Sequence, residues 1–522
     1  MVPDPLSNLP SRIHEILDEG AKAGSSRTAF TDERGEEWSY QRLIQTVALI
    51  AGELDALGVR PGDRVMIVGE NSIAAVALMY ATSRLDAWAV LASARLSERE
   101  LGLIEQDSSP RFVFYAHLVS PEADTHAARR GASAQEFTGI GEVKTSARNN
   151  EATPEPVHSD PSRQAAVLIY TTGTTGRPKG VMLSHRSLAY VASRGQRTGT
   201  ILPDDVTLCL MPISHSYGLA IMQGFLFAGA HLHIMPRFSM PRTIEMIVDG
   251  ALTAFYAVPA LFARIVAHVD QERIGLTPNR LRFTYTGTAP LDLSLRESVE
   301  RVFGAVLHNG YGLTETAPTI SRTVYTKGDG EINIGTPIPG VEIKIIGADG
   351  REITDDSPGE LHVRGPNIML GYYGQPELTR AVIDPDGFLN TGDVVSRKAS
   401  GELVVQGRTK ELIIRSGFNV YPPEIEAELN AHPDVLNSAV VGRPVEGDEE
   451  IIAFVEPVPG SSINTSELFR LIEERLAGYK KPQQIIVLPQ LPVAPNGKVK
   501  KSDLKRLAET LKPGAGLRTA SL

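Results

Sequence analysis

Cysteine is almost missing from this chain. Cys209 is the only one among 522 residues, so no internal disulfide can form and no oxidising compartment is needed. It stands in the apolar run from Val206 to Met211, a setting for a buried structural thiol rather than a nucleophile. Tryptophan is nearly as scarce, with two residues. No run reaches the ~18 uninterrupted apolar residues of a membrane span. The best stretch, 217–230, is short and contains Gln223. A basic excess is lacking too: 52 Lys+Arg face 62 Asp+Glu, a net charge of −10. A nucleic-acid or anionic-membrane surface needs the opposite sign. The opening Met1-Val2-Pro3-Asp4-Pro5 has no basic segment leading into an apolar one, so no secretory signal is expected. These absences predict a soluble, cytoplasmic protein with no nucleic-acid partner and no integral membrane segment.

What is there is ordinary globular composition, 42% hydrophobic and 22% charged. A single core stops growing near ~250–300 residues, so this chain should divide. Val65–Val68 reads as a buried strand, followed by Asn71 or Ser72 capping an Ala-rich helix to about Leu85. Ala165–Tyr170 is another strand, and Ser184 can cap a helix beginning at His185. Alternating strands and helices predict an α/β fold with parallel-rich sheets. Residues 119–163 are polar and rich in Ala, Ser, Glu and Pro, and are expected to be a surface connection. From about 341 the style changes to short strands and turns (Val341–Ile346, Asp349-Gly350, Gly359–Arg364), a β-rich subdomain. After Arg408 a little over 100 residues remain, enough for a compact α+β domain.

The most informative segment is Tyr170-Thr171-Thr172-Gly173-Thr174-Thr175-Gly176-Arg177-Pro178-Lys179-Gly180, expected to follow a strand and precede a helix. Its glycines let the backbone approach a ligand closely. The threonine hydroxyls and freed N–H groups can wrap phosphate oxygens, with Lys179 as a point charge. It is not a Walker A loop, because Gly497-Lys498 is followed by Val499 rather than Ser or Thr.

Further blocks follow in order: Tyr311-Gly312-Leu313-Thr314-Glu315, Gly359-Glu360-Leu361 to Gly371-Tyr372, Thr391-Gly392-Asp393, Gly407-Arg408-Thr409-Lys410-Glu411, Gly417 to Glu426, and Asn496-Gly497-Lys498. With the glycine-rich segment, this ordered set resembles the adenylate-forming superfamily of acyl-CoA synthetases, peptide-synthetase adenylation domains and luciferases, over about residues 30–505. The resemblance implies an AMP-forming acid–CoA ligase. Carboxylate and MgATP would give acyl-adenylate and pyrophosphate, and the thiol of coenzyme A would then displace AMP. It implies an N-terminal domain over 1–409 that binds ATP and the acyl group, and a mobile domain over 410–522 hinged at Lys410.

Roles carry over residue by residue. Lys498 would bridge the attacking carboxylate and the α-phosphate, where two anions meet and positive charge is needed. Glu315 would ligate Mg²⁺ as a hard oxygen donor, and Thr314 would touch phosphate. Thr171, Thr172, Gly173, Thr174, Thr175, Gly176 and Lys179 would hold phosphates. Thr288, Ala289, Pro290, Asn309, Gly310, Tyr311 and Gly312 would belong to the ATP/AMP-binding site, with Tyr311 offering a face for adenine stacking. Asp393 would accept from both ribose hydroxyls, with Arg408 beside it. Ser416 and Gly417 match the lining of the coenzyme A channel.

The block Met211-Pro212-Ile213-Ser214-His215-Ser216-Tyr217-Gly218 places His215 as a gate between the ATP and acyl pockets. Amino-acid-activating relatives usually carry Asp in this block, so Ser214-His215 argues against an amino-acid substrate. The acyl pocket would comprise His215, Tyr217, Gly287, Thr288, Gly310 and Pro318, whose small members leave depth for an aryl or a medium to long apolar monocarboxylic acid. The chain runs 24 residues past Lys498, so a fused carrier domain is not expected. Free coenzyme A is favoured as acceptor, and a separate carrier protein or another acceptor stays open. Beyond the small-molecule acid, ATP and coenzyme A, a homodimer is carried among the expected partners. Residues 480–522 hold nine Lys/Arg against Asp503 and Glu509, a local balance of +7 around Lys498. Within it Lys501 stands where relatives commonly have Arg.

Overall fold

A computed structural model describes residues 6–172, 178–326, 330–415, 418–445, 448–494 and 498–511, apart from the side chain of Thr172. The central sheet has eight strands. From one edge they are Gly371–Tyr372, Pro178–Ser184, Ala165–Thr172, Trp88–Ser93, Arg64–Gly69, Phe112–Ala116, Gly141–Thr145 and Ser133–Phe137. The four interior strands run parallel and the flanking pairs antiparallel. The parallel strands are buried on both faces, which is why Val65–Val68 and Ala165–Tyr170 read as unbroken apolar runs. Ser72 caps the helix Ile73–Arg84 by accepting from the Ala75 N–H, and that helix is buried on nearly every side.

A second sheet stacks Ala254–Tyr256, Phe283–Gly287 and Leu307–Tyr311 in parallel, then adds the short antiparallel strands Ser321–Arg322 and Thr336–Pro337. A third joins Val206–Cys209, His231–Ile234, Thr28–Thr31 and Glu37–Ser39. Cys209 is buried there, and burial pushes its thiol up to about 12, so it is an inert core group. The β-rich subdomain is the antiparallel sheet Glu342–Ile346, Gly359–Arg364, Leu389–Arg397 and Leu403–Arg408. From Ile413 onward the chain buries two apolar clusters of its own, around Val440, Ile451 and Leu468 and around Phe454, Leu491 and Leu504. They flank the sheet Val435–Val445, Asp448–Pro457 and Gln484–Val487.

The structure departs from the sequence-based expectations in two places. The glycine-rich segment does not lead straight into a helix: it joins Ala165–Thr172 to the antiparallel strand Pro178–Ser184, and only then does Ser184 cap the helix His185–Arg197. Val181 and Leu183 are fully buried while Met182 is half-buried, a two-residue alternation too short to stand out before the helix. Residues 119–163 are not a bare connection either. They contain the helix Pro121–Arg129, capped by Ser120, and the hairpin Ser133–Phe137/Gly141–Thr145. That hairpin is the polar edge of the central sheet, and charged residues on edge strands look like loop composition.

Candidate active site

The strand Leu307–Tyr311 ends at the site, and the chain turns sharply after it. A Cβ on Gly312 would lie 1.5 Å from the Pro318 carbonyl oxygen, so only glycine fits. The turn leads into the short 3-10 segment Thr314–Thr316. There Thr314 Oγ1 lies 3.2 Å from Ser216 Oγ at the start of the helix Ser216–Ala228. Glu315 is held from two sides: Tyr372 donates its hydroxyl to Oε1 at 2.8 Å, and the Met369 N–H donates to the Glu315 carbonyl at 2.9 Å. Tyr372 reaches this place because Gly371–Tyr372 pairs with Met182 and Val181 at the edge of the central sheet. Lys179, on the neighbouring strand Pro178–Ser184, carries its Nζ 5.2 Å from the Tyr372 ring centroid. Lys179, Tyr372 and Glu315 therefore form one chain of contacts.

Across the cleft, the antiparallel strands Leu389–Arg397 and Leu403–Arg408 place Asp393 opposite Arg408. Asp393 is 2% exposed. Its Oδ1 accepts from Arg408 Nε at 2.8 Å and its Oδ2 from the Tyr311 hydroxyl at 2.5 Å. A buried carboxylate with charged and neutral donors on both oxygens is fixed in orientation. Burial, and then the Asp393 charge, push the Tyr311 hydroxyl well above its ordinary pKa, so Tyr311 remains a donor.

Lys498 lies within electrostatic reach of Arg408, Asp393, Glu315 and Glu411. Its surroundings push its pKa below the usual lysine value through desolvation and the Arg408 charge, against the pull of Asp393, Glu315 and Glu411. His215 caps the same region ahead of the helix Ser216–Ala228. Burial, then the charges of Lys498 and Arg95, lower its pKa to about 4, so it is neutral at pH 7. Its Nε2 is buried and makes no hydrogen bond among the described residues.

Around Gly287 and Gly310 the packing is aromatic. Tyr256 and Tyr285 stack at 5.2 Å between ring centroids, and burial pushes the Tyr285 hydroxyl up to about 12. Tyr217 has a buried hydroxyl with no partner among the described residues, as does Thr288 Oγ1. A Cβ on Gly287 would come within 2.9 Å of the Gly310 carbonyl oxygen and 3.7 Å of Tyr217 Cε2; one on Gly310 would meet the Tyr285 hydroxyl at 2.4 Å. Both glycines thus let the two strands and these rings approach one another closely. Pro318 closes the turn after Gly312.

The remaining expected residues are placed as follows. Thr171 and Lys179 are cross-strand partners at the mouth of the glycine-rich hairpin. Thr288, Ala289 and Pro290 form the turn between the strand Phe283–Gly287 and the helix Leu293–Phe303. Asn309 donates its amide to the Asn333 carbonyl, which commits it to bracing the sheet. Lys410 is exposed, in the 3-10 segment Thr409–Glu411. Gly173, Thr174, Thr175 and Gly176, the Thr172 side chain, and Ser416 and Gly417 lie outside the described residues. Sequence reasoning assigned no role to Tyr372, Tyr256 or Tyr285. Tyr372 was within reach, since it closes the Gly359–Tyr372 block; the two pocket tyrosines carry no motif.

Among the described residues no group of three or more His, Cys, Asp or Glu forms a metal cage. A single anchored carboxylate suits Mg²⁺, which takes one or two carboxylates and fills its other positions from phosphates and water. Glu315, with Oε1 already on Tyr372, has the donor chemistry for that role.

A buried carboxylate hydrogen-bonded on both oxygens, an anchored glutamate with donor chemistry for a metal, and a lysine within electrostatic reach of both make a candidate nucleotide-binding site. The chain belongs to the AMP-binding enzyme family: the AMP-binding enzyme description matches residues 17–373 and the AMP-binding enzyme C-terminal domain matches 424–498. It is 32% identical over 516 residues to 4-coumarate–CoA ligase 5 of Oryza sativa subsp. japonica, covering 94% of each chain. It is 32% identical over 509 residues to indoleacetate–CoA ligase of Aromatoleum aromaticum, covering 95% of this chain and 98% of that one. Its fold matches the crystal structure of ATP-bound MatB from Rhodopseudomonas palustris with a TM-score of 0.82 and 28% identity, over 96% of this chain and 99% of that one.

Proposed function

We propose that this enzyme is an AMP-forming acid–CoA ligase whose substrate is an aromatic monocarboxylic acid. The observation that carries the proposal is the electrostatic grouping of Lys498, Glu315, Asp393 and Arg408, with a cluster of tyrosines around Gly287 and Gly310. The acid–CoA ligase chemistry accords with relatives named for 4-coumarate and indoleacetate. Stacked Tyr256 and Tyr285, with Tyr217 beside Gly287, support a planar acyl group.

In the first step a carboxylate oxygen attacks the α-phosphorus, and the bond to the bridging oxygen of pyrophosphate breaks. Lys498 stabilises the charge gathered between carboxylate and α-phosphate. Asp393 and Arg408 orient the ribose, and Tyr311 faces the base. Glu315 would hold Mg²⁺, which when bound would supply charge neutralisation for the leaving pyrophosphate. In the second step the coenzyme A thiol, losing its proton, attacks the acyl carbon and AMP leaves with the bonding pair. Neutral His215 lies between the nucleotide and acyl compartments as the gate. The two steps use different reagents at one carbon, so a domain over 410–522 turning about Lys410 against 1–409 presents Lys498 first and the thiol route through Ser416 and Gly417 second. Cytoplasmic placement and a homodimeric assembly belong to the same proposal, checked by cell fractionation and light scattering.

The test is a panel of aryl and aliphatic acids with MgATP, following pyrophosphate release and thioester formation with and without coenzyme A. Thioester formation fastest on aryl acids is expected. Adenylation with no thioester would assign the enzyme to a carrier protein or another acceptor instead.

A further inference from the structure

Lys501 Nζ lies 2.8 Å from Glu426 Oε1 and 3.0 Å from Glu411 Oε2. These three residues come from three parts of the chain: the first residue of the helix Lys501–Thr510, the helix Pro422–Asn430, and the last residue of the segment Thr409–Glu411. Glu426 is 7% exposed, and its Oε1 also accepts from the Val440 N–H at 2.7 Å, so it is a fixed point on the sheet behind it. Burial works against the Lys501 charge, but the two carboxylates outweigh it and raise its pKa. The ammonium therefore stays charged and the cluster stays closed.

Its position matters because of what lies three residues earlier. Residues 492–494 pair with residues 498–500: Val493 bridges Val499, the Ala494 N–H donates to the Lys498 carbonyl, and the Lys500 N–H donates to the Pro492 carbonyl, both at 2.7 Å. Lys498 thus rides on the returning arm of a narrow hairpin, and Lys501 is where that arm meets the body of the domain. The far end of the following helix is secured separately. Leu504 and Ala508 are buried in an apolar cluster, and Arg443 donates to the Ala508 and Leu511 carbonyls. Docking of the helix as a whole does not need Lys501. The place where its first turn begins, and with it the stance of Lys498, does.

We propose that Lys501 is a positioning residue for adenylation, clamping the arm that carries Lys498 to Glu411 just past the hinge and to Glu426 in the domain core. The clamp makes Glu411 the first residue of the moving body, so rotation is confined to Lys410 and Lys498 arrives at a set place. The inference rests on the reading of Lys498 given above. Displacing a bridging charge by about 1 Å is enough to cost on the order of 10²-fold in rate.

The test separates the half-reactions, and each variant is first checked for its thermal midpoint. Lys501→Met keeps the stem and removes the charge. It should lower kcat and kcat/KM for pyrophosphate release together by about 10–100-fold, as expected for an interaction made in the transition state. It should leave thioester formation from supplied acyl-adenylate within about threefold, and Lys501→Arg should restore adenylation. Because Lys501→Met leaves the buried Glu426 carboxylate unpaired and can unfold the domain, Glu426→Gln is the second variant. It keeps an acceptor for Val440 and should show the same selective loss in milder form. Equal loss in both half-reactions, failure of Lys501→Arg to rescue, or unchanged adenylation in folded Glu426→Gln would overturn the clamp. Lys498→Ala is the control for the parent reading: if it leaves adenylation intact, that reading fails whatever Lys501 does.

Discussion

Asp393 holds the Tyr311 hydroxyl and the Arg408 guanidinium on its two carboxylate oxygens. Asp393→Asn keeps the shape and surrenders the charge, so both donors lose a charged acceptor at a buried site. Hydrogen bonds to charged groups contribute about 1.5–3 kcal/mol, so ATP affinity should fall on the order of 10–100-fold in calorimetry. A smaller change than threefold would mean that the pair does not hold nucleotide. Lys498→Ala tests the charge that acts on both Asp393 and Glu315. Adenylation should fall by at least ~10²-fold, the scale of losing one preorganised charge stabiliser, while thioester formation from supplied acyl-adenylate continues. Equal loss of both activities would refute the division of labour. Asp393, Arg408, Glu315 and Lys498 were all legible in the sequence because each sits in a short block whose order along the chain is itself a signal. Tyr372 was quoted there but its purpose was not. Its hydroxyl meets Glu315 only because a two-residue strand pairs with a distant edge, and no local spacing announces such a pairing.

Elements, rather than single side chains, decide how the two site glycines behave. An alanine Cβ at 312 would collide with a carbonyl oxygen, and backbone cannot step aside cheaply; at 310 it would meet the hydroxyl and ring edge of Tyr285, a side chain rather than backbone. Gly312→Ala should therefore displace the Thr314–Thr316 segment and abolish pyrophosphate release on every acid. Gly310→Ala should fold and bind ATP but narrow the acyl pocket. Its kcat/KM for bulky aryl acids should fall by about tenfold or more, a few contacts' worth of lost fit, while small aliphatic acids are little affected. Loss on all acids alike would place Gly310 outside the acyl pocket. The same scale explains what sequence reading missed. The strand Pro178–Ser184 follows the glycine-rich segment too briefly for its alternation to compete with the strong Ser184 cap behind it. The hairpin Ser133–Phe137/Gly141–Thr145 has the polar composition of a loop because it is an edge. Long buried strands and well-capped helices were readable; edges, whose identity depends on what lies beside them, were not.

For the molecule as a whole, the buried histidines set a pH dependence with a definite sign. His14, His185, His215, His231, His233, His308 and His362 all have lowered pKa values, with burial the first cause in each, and His215 and His231 fall to about 4. Unfolded, these rings take up protons near their ordinary value of about 6.5. The unfolded chain therefore binds more protons than the folded one between about pH 6.5 and 4, and stability must drop as pH falls through that window. Calorimetry should show the midpoint steady from pH 8 to 7 and declining steadily below 6.5; a flat curve down to pH 5 would contradict the burial of these rings. The edge pairing at Gly371–Tyr372 bears on biosynthesis. The outer side of the strand Pro178–Ser184, with Val181 and Met182 in it, is closed by a partner that the ribosome makes roughly 190 residues later. At about 5–20 residues per second that is on the order of 10–40 s of translation. For that interval a nascent chain carries an open strand edge beside buried valine and leucine, a template for pairing with a neighbouring polypeptide. Slow elongation over residues 185–370 should therefore lower the yield of native enzyme, whereas pauses after residue 373 should not.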